Sequence, residues 1–289
     1  NHDPYNDASP YKRVAFPDNV HIFTGEKERV RLDELGVDVY GVGFTGKTCL
    51  SSPVVGYPAL DKGRLNLLVC HGDVGMPLST NGPITKSEIA ASGFDYIALG
   101  HIHAPSGLLR EGGTVYAYPG CLESRSFDEP GYHGALFGEL TKESNGLRFV
   151  RFSKRRYERA AVDVGGCADK AEAVERIRAD IRRYTEDTAL RLTLTGEVAD
   201  SFLITPADIG RGCEYPWHIE IVDKTFPAPD YLALERESTL RGVFYSKMKA
   251  CIEAAEPDSE EYFVALSALK YGLGALNDRG INDFGGEGR

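Results

Sequence analysis

Two short apolar segments, each followed at once by histidine, limit the folds open to this chain most strongly. The first, Leu65 to Cys70, reads LNLLVC and ends in His71-Gly72-Asp73. The second, Tyr96 to Leu99, ends in Gly100-His101-Ile102-His103. Nearly continuous apolar runs of this length are typical of strands that are buried on both faces of a sheet. The pattern therefore predicts a sheet whose buried strands end in polar residues.

The histidines of the second segment are spaced for metal binding. If the chain stays extended, His101 and His103 point to the same side, because side chains alternate along a strand. Imidazole is a common ligand of divalent transition metals. Taken alone, the pair also fits two ordinary loop histidines, so the other motifs of the chain have to decide.

Composition excludes several classes of protein. The 289 residues are 42% hydrophobic and 26% charged, which fits one large globular domain and a smaller one. No apolar stretch approaches the length of a membrane span and no signal peptide is visible, so we expect a cytoplasmic protein. The formal net charge of -10 argues against a general nucleic-acid coat protein, although it leaves room for a local basic patch. The six cysteines form no CxxC pair, which favours buried free thiols over a disulfide framework or a zinc site.

Periodicity predicts an α/β core with two smaller parts behind it. Strands are predicted at Val20 to Phe23 and Val37 to Phe44, besides the two buried ones, and a helix at Ile84 to Ser92 capped by Gly93. The charge run KRRYER, Lys154 to Arg159, marks a domain edge. We expect a core over residues 1–158, a small α+β module over 159–230 and a helical region over 231–289.

Three motifs in the chain resemble those of the calcineurin-like metallophosphoesterases. The motifs of that family run D-x-H, G-D-x-x-D, G-N-H-[DE], H and G-H-x-H, and Asn1-His2-Asp3, VCHGD and LGHIH are similar to the last three in order. GFDYIALGHIH, with the YPG and SRSFDEPGYHG that follow, resembles the SbcD-like DNA-repair exonuclease branch. The resemblance covers residues 1–152. It implies a four-layer αββα sandwich, here followed by the α+β cap module and the helical C-terminal region.

The resemblance also implies a metal-binding role for four residues. Asn1 would bind one ion through its amide oxygen, together with His71 and His101. His103 would bind the other ion. Two divalent ions of this kind clamp a phosphate and activate a water molecule. Oxygen and imidazole ligands suit Mn²⁺ first, with Fe, Zn²⁺ or Mg²⁺ as alternatives.

Catalytic roles follow for the two residues after Asn1. His2 would act as general acid or stabilise the transition state, with Asp3 orienting it; the alternative for His2 is a disordered terminus. In the family the first two motifs precede this point, and nothing in residues 4–289 replaces them. We therefore expect an N-terminally truncated chain with an incomplete two-metal site and little or no nuclease activity by itself.

The partners implied by the resemblance are DNA and, through the C-terminal helices, a coiled-coil ATPase subunit; a homodimer is also compatible with it. Two apolar stripes on those helices favour packing against their own domain over partner binding. The stripes are Leu234, Leu240, Phe244, Met248 and Ile252, and Phe263, Leu266, Leu269, Leu273 and Leu276.

Several residues and functions stay open at this level. Arg125 fits a phosphate contact or a turn-stabilising role, and the KRRYER run fits a DNA-backbone contact or a solvated face. His21, His133 and His218 lack motif support, so surface or core roles are favoured for them. Metal-dependent phosphodiester hydrolysis on DNA is the favoured function. The rivals are a phosphoesterase for nucleotides or phosphoproteins and a non-catalytic partner subunit of an ATPase.

Overall fold

The chain folds into two compact units, Asn1–Tyr157 and Glu158–Arg289. The structure is a computed structural model that describes residues 1–198, 203–210, 216–227, 230–256 and 259–276. Parallel strands and helices are present in both units, so the predicted α/β class is confirmed. The four-layer arrangement and the functional division into core, cap module and helical region stay predictions.

The first unit is built on a mixed six-stranded sheet. Its elements are β1 (Glu28–Leu32), β2 (Val37–Gly41), β3 (Leu65–His71), β4 (Asp73–Val74), β5 (Pro83–Ile84), α1 (Lys86–Ser92), β6 (Tyr96–Gly100), β7 (Leu109–Glu111), β8 (Thr114–Ala117), β9 (Gly134–Phe137) and β10 (Arg148–Arg151), with 3-10 turns at Pro10–Lys12 and Asp33–Leu35. The strand order is β1-β2-β3-β6-β8-β7. The central strands β2, β3, β6 and β8 run parallel, while β1 and β7 pair antiparallel at the edges. Strands β9 and β10 form a separate antiparallel hairpin.

The core of this unit lies where β3 and β6 pack against helix α1. Leu68, Ile97 and Ile89 are fully buried there, as their apolar pattern predicts. Helix α1 begins at a capping box in which Thr85 and Glu88 satisfy each other's backbone N–H groups. It ends at Gly93, whose φ of 75° is the left-handed conformation that favours glycine. The helix, its Gly93 cap and both strands were predicted, but Val69 on β3 is 44% exposed, so β3 is not buried on both faces over its whole length.

The strand predicted at Val20 to Phe23 is wrong. The partner of β1 is β2, in the register Val30 opposite Val39. Thr24, just after the predicted strand, bonds to a side chain. The carboxylate of Glu28 accepts hydrogen bonds from the backbone N–H and the hydroxyl of Thr24. Local side-chain bonds of this kind compete with a strand ladder, and a short β-branched run does not reveal them.

The second unit combines a three-stranded sheet with helices. Its elements are β11 (Arg156–Asp163), α2 (Lys170–Ile181), β12 (Thr188–Thr195), β13 (Glu197–Val198), α3 (Pro206–Gly210), β14 (His218–Asp223), β15 (Phe226–Pro227), α4 (Tyr231–Arg236), α5 (Leu240–Ala254) and α6 (Glu260–Leu276). The sheet order is β11-β12-β14, and Ile177, Ile181 and Leu192 are fully buried in its core.

The predicted stripes of the last helices pack mainly within their own unit. Leu234, Tyr245, Leu269 and Leu273 form a buried cluster, and Phe244, Met248 and Ile252 pack against it. Leu240, Phe263 and Leu276 are exceptions, because 73%, 53% and 37% of their surfaces are exposed. Among the described residues, no helix is both long and apolar enough to cross a bilayer.

The prediction of buried thiols holds for only part of the cysteines. Cys70 and Cys167 are buried, whereas Cys251 is exposed and Cys49 and Cys121 are half-buried. All five are free thiols, as predicted. Cys213 lies outside the described residues.

Candidate metal centre

The ends of strands β3 and β6 bring the two predicted histidine motifs together. The strands are parallel and paired, with His71 opposite Gly100, so the residues that follow them leave the sheet side by side. Gly100 is required by this close approach. A Cβ atom at that position would lie 3.0 Å from Nδ1 of His71, which is tighter than ordinary contact. The polar strand ends predicted from the sequence therefore form one shared edge.

The backbone turns sharply at His101 instead of staying extended. His101 has a φ of 111°, a conformation that L-residues rarely adopt. The argument that placed His101 and His103 on one side of an extended strand is therefore wrong in its premise. The turn sets the imidazole of His101 beside that of His71, with 5.1 Å between ring centroids. It also leaves Nε2 of His101 3.7 Å from Oδ2 of Asp73.

Asn1 reaches the same edge although it is distant in sequence. Its Oδ1 lies 3.0 Å from Nε2 of His71. The backbone N–H of Tyr5 donates to the carbonyl oxygen of Phe44 over 2.6 Å, which ties the first residues to the end of the sheet. The ring of Phe44 packs edge-on against His71, with centroids 5.3 Å apart. Of the four predicted ligands, Asn1, His71 and His101 are thus brought together.

Two donor atoms at this edge, Oδ1 of Asn1 and Nε2 of His71, have a separation that fits one divalent cation. Two ligand atoms at right angles, each about 2.1 Å from an ion, are about 3.0 Å apart. The contact between His71 and Asn1 has this separation. Metal binding also requires neutral imidazole. Burial, with the nearby positive charges adding to it, lowers the pKa of His71 to about 4, so its ring is neutral at physiological pH.

His103 lies on the loop beyond β6 and is positioned by a carboxylate. Nδ1 of His103 is 2.6 Å from Oε1 of Glu129. An ionised carboxylate only accepts hydrogen bonds, so Nδ1 of His103 donates to Glu129, and Nε2 is the ring nitrogen that is left to face a metal. A carboxylate that orients a histidine in this way raises its basicity toward a metal. Glu129 was not predicted from the sequence.

Glu129 is ionised and shared among several neighbours. Desolvation opposes its charge, but the hydrogen bonds from the Arg125 backbone N–H and from His103 outweigh it and lower the pKa of Glu129 to about 2. His103, Cys121 and Glu129 offer three possible ligand atoms within 4.8 Å of one another. Burial raises the pKa of the Cys121 thiol. A neutral thiol is a poor metal ligand, so the arrangement indicates a carboxylate–histidine pair rather than a thiolate site.

An open pocket of about 510 Å³ collects most of the predicted site residues. It is lined by Asn1, His2, Asp3, Tyr11, Phe44, His71, His103 and Arg125. His2 and Asp3 are exposed, and no hydrogen bond joins their side chains in the described part of the chain. The orienting role of Asp3 therefore stays a prediction.

The Tyr118 side chain fixes the loop that follows β3 and carries Asp73. The hydroxyl of Tyr118 donates to the carbonyl oxygen of Gly72 over 2.7 Å and accepts from the N–H of Val74 over 3.0 Å. Asp73 thereby points toward His101 from a fixed backbone. Tyr118 and Asp73 both stand inside motifs noted in the sequence, YPG and HGD, but sequence alone did not assign them a role.

Comparison with known proteins gives the same indication as the geometry. No family model matches the chain. The chain is 26% identical over 215 residues to the protein named uncharacterized metallophosphoesterase YhaO of Bacillus subtilis (strain 168), a match that covers 71% of this chain and 52% of that protein. It is 30% identical over 126 residues to DNA double-strand break repair protein Mre11 of Aeropyrum pernix, covering 42% of this chain and 30% of that protein. The predicted resemblance to the calcineurin-like metallophosphoesterases and to their SbcD-like exonuclease branch is confirmed.

Proposed function

We propose that this chain, a relative of the calcineurin-like metallophosphoesterases, takes part in metal-dependent hydrolysis of phosphodiester bonds in DNA. One observation carries the proposal: Asn1, His71 and His101 converge at the paired ends of β3 and β6, and the donor atoms of Asn1 and His71 are 3.0 Å apart, as two ligands of one ion would be. An ion held there would polarise a phosphoryl oxygen and activate a water molecule. The similarity to Mre11 supports DNA as the substrate.

The chain's own residues have distinct tasks in this proposal. Asn1, His71 and His101 hold one divalent ion, and His103, oriented by Glu129, faces a second. His2 is exposed in the pocket, and we assign its imidazole the role of general acid toward the leaving oxygen. We assign Asp3, which lines the same pocket, the role of orienting that imidazole. Arg125 lines the same pocket with 74% of its side chain exposed, which suits a phosphate contact.

The proposal extends to the identity of the metal, the cellular location and the partners. Nitrogen and oxygen donors favour Mn²⁺ over softer ions. A DNA repair role in the cytoplasm, a coiled-coil ATPase partner and a homodimer follow from the resemblance. The chain spans about half the length of one curated relative and less of the other, so each of these belongs to the whole protein as a proposal.

Equilibrium dialysis against Mn²⁺, paired with hydrolysis of bis(p-nitrophenyl) phosphate and of single-stranded DNA, tests the proposal. We expect the 289-residue polypeptide to bind Mn²⁺ and to hydrolyse either substrate only slowly, because D-x-H and G-D-x-x-D are not among its residues. Two tightly bound ions with rapid turnover would overturn the expectation of an incomplete site. Absence of Mn²⁺ binding would overturn the proposal itself.

The two rival functions predict other results in the same assays. A phosphoesterase for nucleotides or phosphoproteins would turn over the small diester or a phosphopeptide but not DNA. A non-catalytic partner of an ATPase would hydrolyse none of these substrates at any Mn²⁺ concentration. The metal-like spacing of the ligands favours the enzyme over this second rival.

A further inference from the structure

An exposed pair of aromatic rings lies at the rim of the pocket that holds the predicted ligands. The rings of Tyr11 and Phe16 are nearly parallel, with 27° between their planes and 6.3 Å between centroids. After this contact, 41% of Tyr11 and 39% of Phe16 are still exposed. Tyr11 lines the pocket together with His71 and His103. Large apolar rings left open beside a polar site indicate a ligand surface more than a core.

The backbone that carries Tyr11 is fixed before any ligand arrives. Tyr11 lies in the 3-10 turn Pro10–Lys12, and its N–H donates to the hydroxyl of Ser9. Ser9 is only 2% exposed, so this cap is anchored in the fold. Proline at the first position of the turn restricts the backbone further. An aromatic ring on a fixed backbone loses little conformational entropy when a ligand stacks on it.

The pocket beside these rings suits a phosphate. His2, His71, His103 and Arg125 supply ring nitrogens and a guanidinium group, and an ion at His71 would add positive charge. Flat aromatic faces next to a phosphate site are the recurring arrangement for unpaired nucleotides. The net charge of -10 gives the whole chain no general attraction for nucleic acid, so binding has to come from such local groups.

We propose that Tyr11 and Phe16 form a stacking platform for the unpaired base at the end of a DNA strand whose terminal phosphodiester lies at the metal ligands. The inference rests on the proposed function and refines it. It assigns a single-stranded end, rather than duplex interior, to this pocket, because a base inside a duplex is stacked on both faces and offers none to the rings. Stacking tolerates any base, so the platform selects strand ends without sequence preference.

Fluorescence anisotropy of the full 289-residue chain with labelled single-stranded octathymidylate, in the presence of Ca²⁺, measures the stacking. Two further probes lack the base at the first or at the last nucleotide. We expect one of these abasic probes to bind about 5- to 100-fold more weakly than the intact strand. Tyr11→Leu should weaken binding of the intact strand by a similar factor and leave the affinity of that abasic probe unchanged. Tyr11→Phe should restore tight binding.

Phe149→Leu is the matched control, because Phe149 has the same 39% exposure as Phe16 but lies on β10. Phe16→Leu should weaken binding of the intact strand, and Phe149→Leu should not. Equal affinity for all three probes, or equal loss in both phenylalanine variants, would overturn the platform. A phosphotyrosyl peptide that binds through Tyr11 while the oligonucleotide does not would also overturn it. Mn²⁺ binding at His71 is measured separately, so these results leave the proposed function to be judged by its own test.

Discussion

The two halves of the candidate centre are positioned by different kinds of structure. His71 ends β3 and His101 directly follows β6, so their places are set by a hydrogen-bonded ladder and a buried core. His103 lies on a loop with 43% of its side chain exposed and has Glu129 as its oriented partner. The first half depends on many weak contacts that act together. The second depends on one charged hydrogen bond.

The two halves should therefore respond differently to substitution. A core distributes its free energy over many contacts, so the strand ends move only when the sheet itself is destabilised. A loop histidine held by one carboxylate loses its orientation when that carboxylate changes, while the sheet stays folded. Substitutions in the strand-end half should therefore lower the stability of the fold, and substitutions around His103 should lower the metal affinity.

Leu68→Ala should have the largest effect and should act through stability. Leu68 is fully buried on β3, and truncating a buried leucine costs about 2–5 kcal/mol of the free energy of unfolding. Val69→Ala, its neighbour on the same strand with 44% exposure, is the control and should change stability by less than about 0.5 kcal/mol. Urea unfolding followed by circular dichroism measures both. Equal effects would show that β3 is not the buried strand described.

Tyr118→Phe should have the next largest effect. Removing its hydroxyl leaves the carbonyl oxygen of Gly72 and the N–H of Val74 without this partner, which costs about 1–3 kcal/mol. Mn²⁺ affinity should fall too, because the loop that carries Asp73 is released. In Tyr40→Phe the lost hydroxyl is buried and has no hydrogen-bond partner among the residues that the structure describes, so stability should stay constant or rise. An equal free energy of unfolding in Tyr118→Phe and Tyr40→Phe would contradict the role assigned to the Tyr118 hydroxyl.

Glu129→Gln should act on metal affinity instead of stability. Loss of the charged partner of His103 should weaken binding at the ion that His103 faces by about 10- to 100-fold. Glu139→Gln, at an exposed position of the same unit, should not change it. Isothermal titration with Mn²⁺ measures the affinity, and thermal unfolding checks that the fold is intact. A loss of stability without a loss of affinity would make Glu129 a structural residue only.

Cys121→Ser should have the smallest effect. Its sulfur lies 3.8 Å from Oε2 of Glu129, close enough to belong to a metal cluster. Mn²⁺ prefers oxygen and nitrogen ligands, so removing the thiol should change Mn²⁺ affinity by less than about twofold. Isothermal titration of Cys121→Ser with Mn²⁺ measures this change in affinity. A large loss would move Cys121 into the ligand set.

The sequence predicted the strand-end half of the site much better than the loop half. Continuous apolar runs and the histidines after them are local patterns, and β3, β6 and His71 lie where these patterns predict them. Glu129 follows His103 by 26 residues, a spacing with no periodic signal, so only the folded loop shows their contact. The φ of His101 was missed for a related reason, because strand alternation says nothing about the first residue beyond a strand.

Mn²⁺ titration of four proteins tests the central claim, that the strand ends hold a divalent ion. The unmodified chain, His71→Ala, His101→Ala and the exposed control His218→Ala are compared by equilibrium dialysis. The unmodified chain and His218→Ala should bind Mn²⁺ alike. Each strand-end variant should bind Mn²⁺ more than about 100-fold more weakly, beyond the range of outer-shell changes. Binding that is unaltered in His71→Ala and His101→Ala would contradict it.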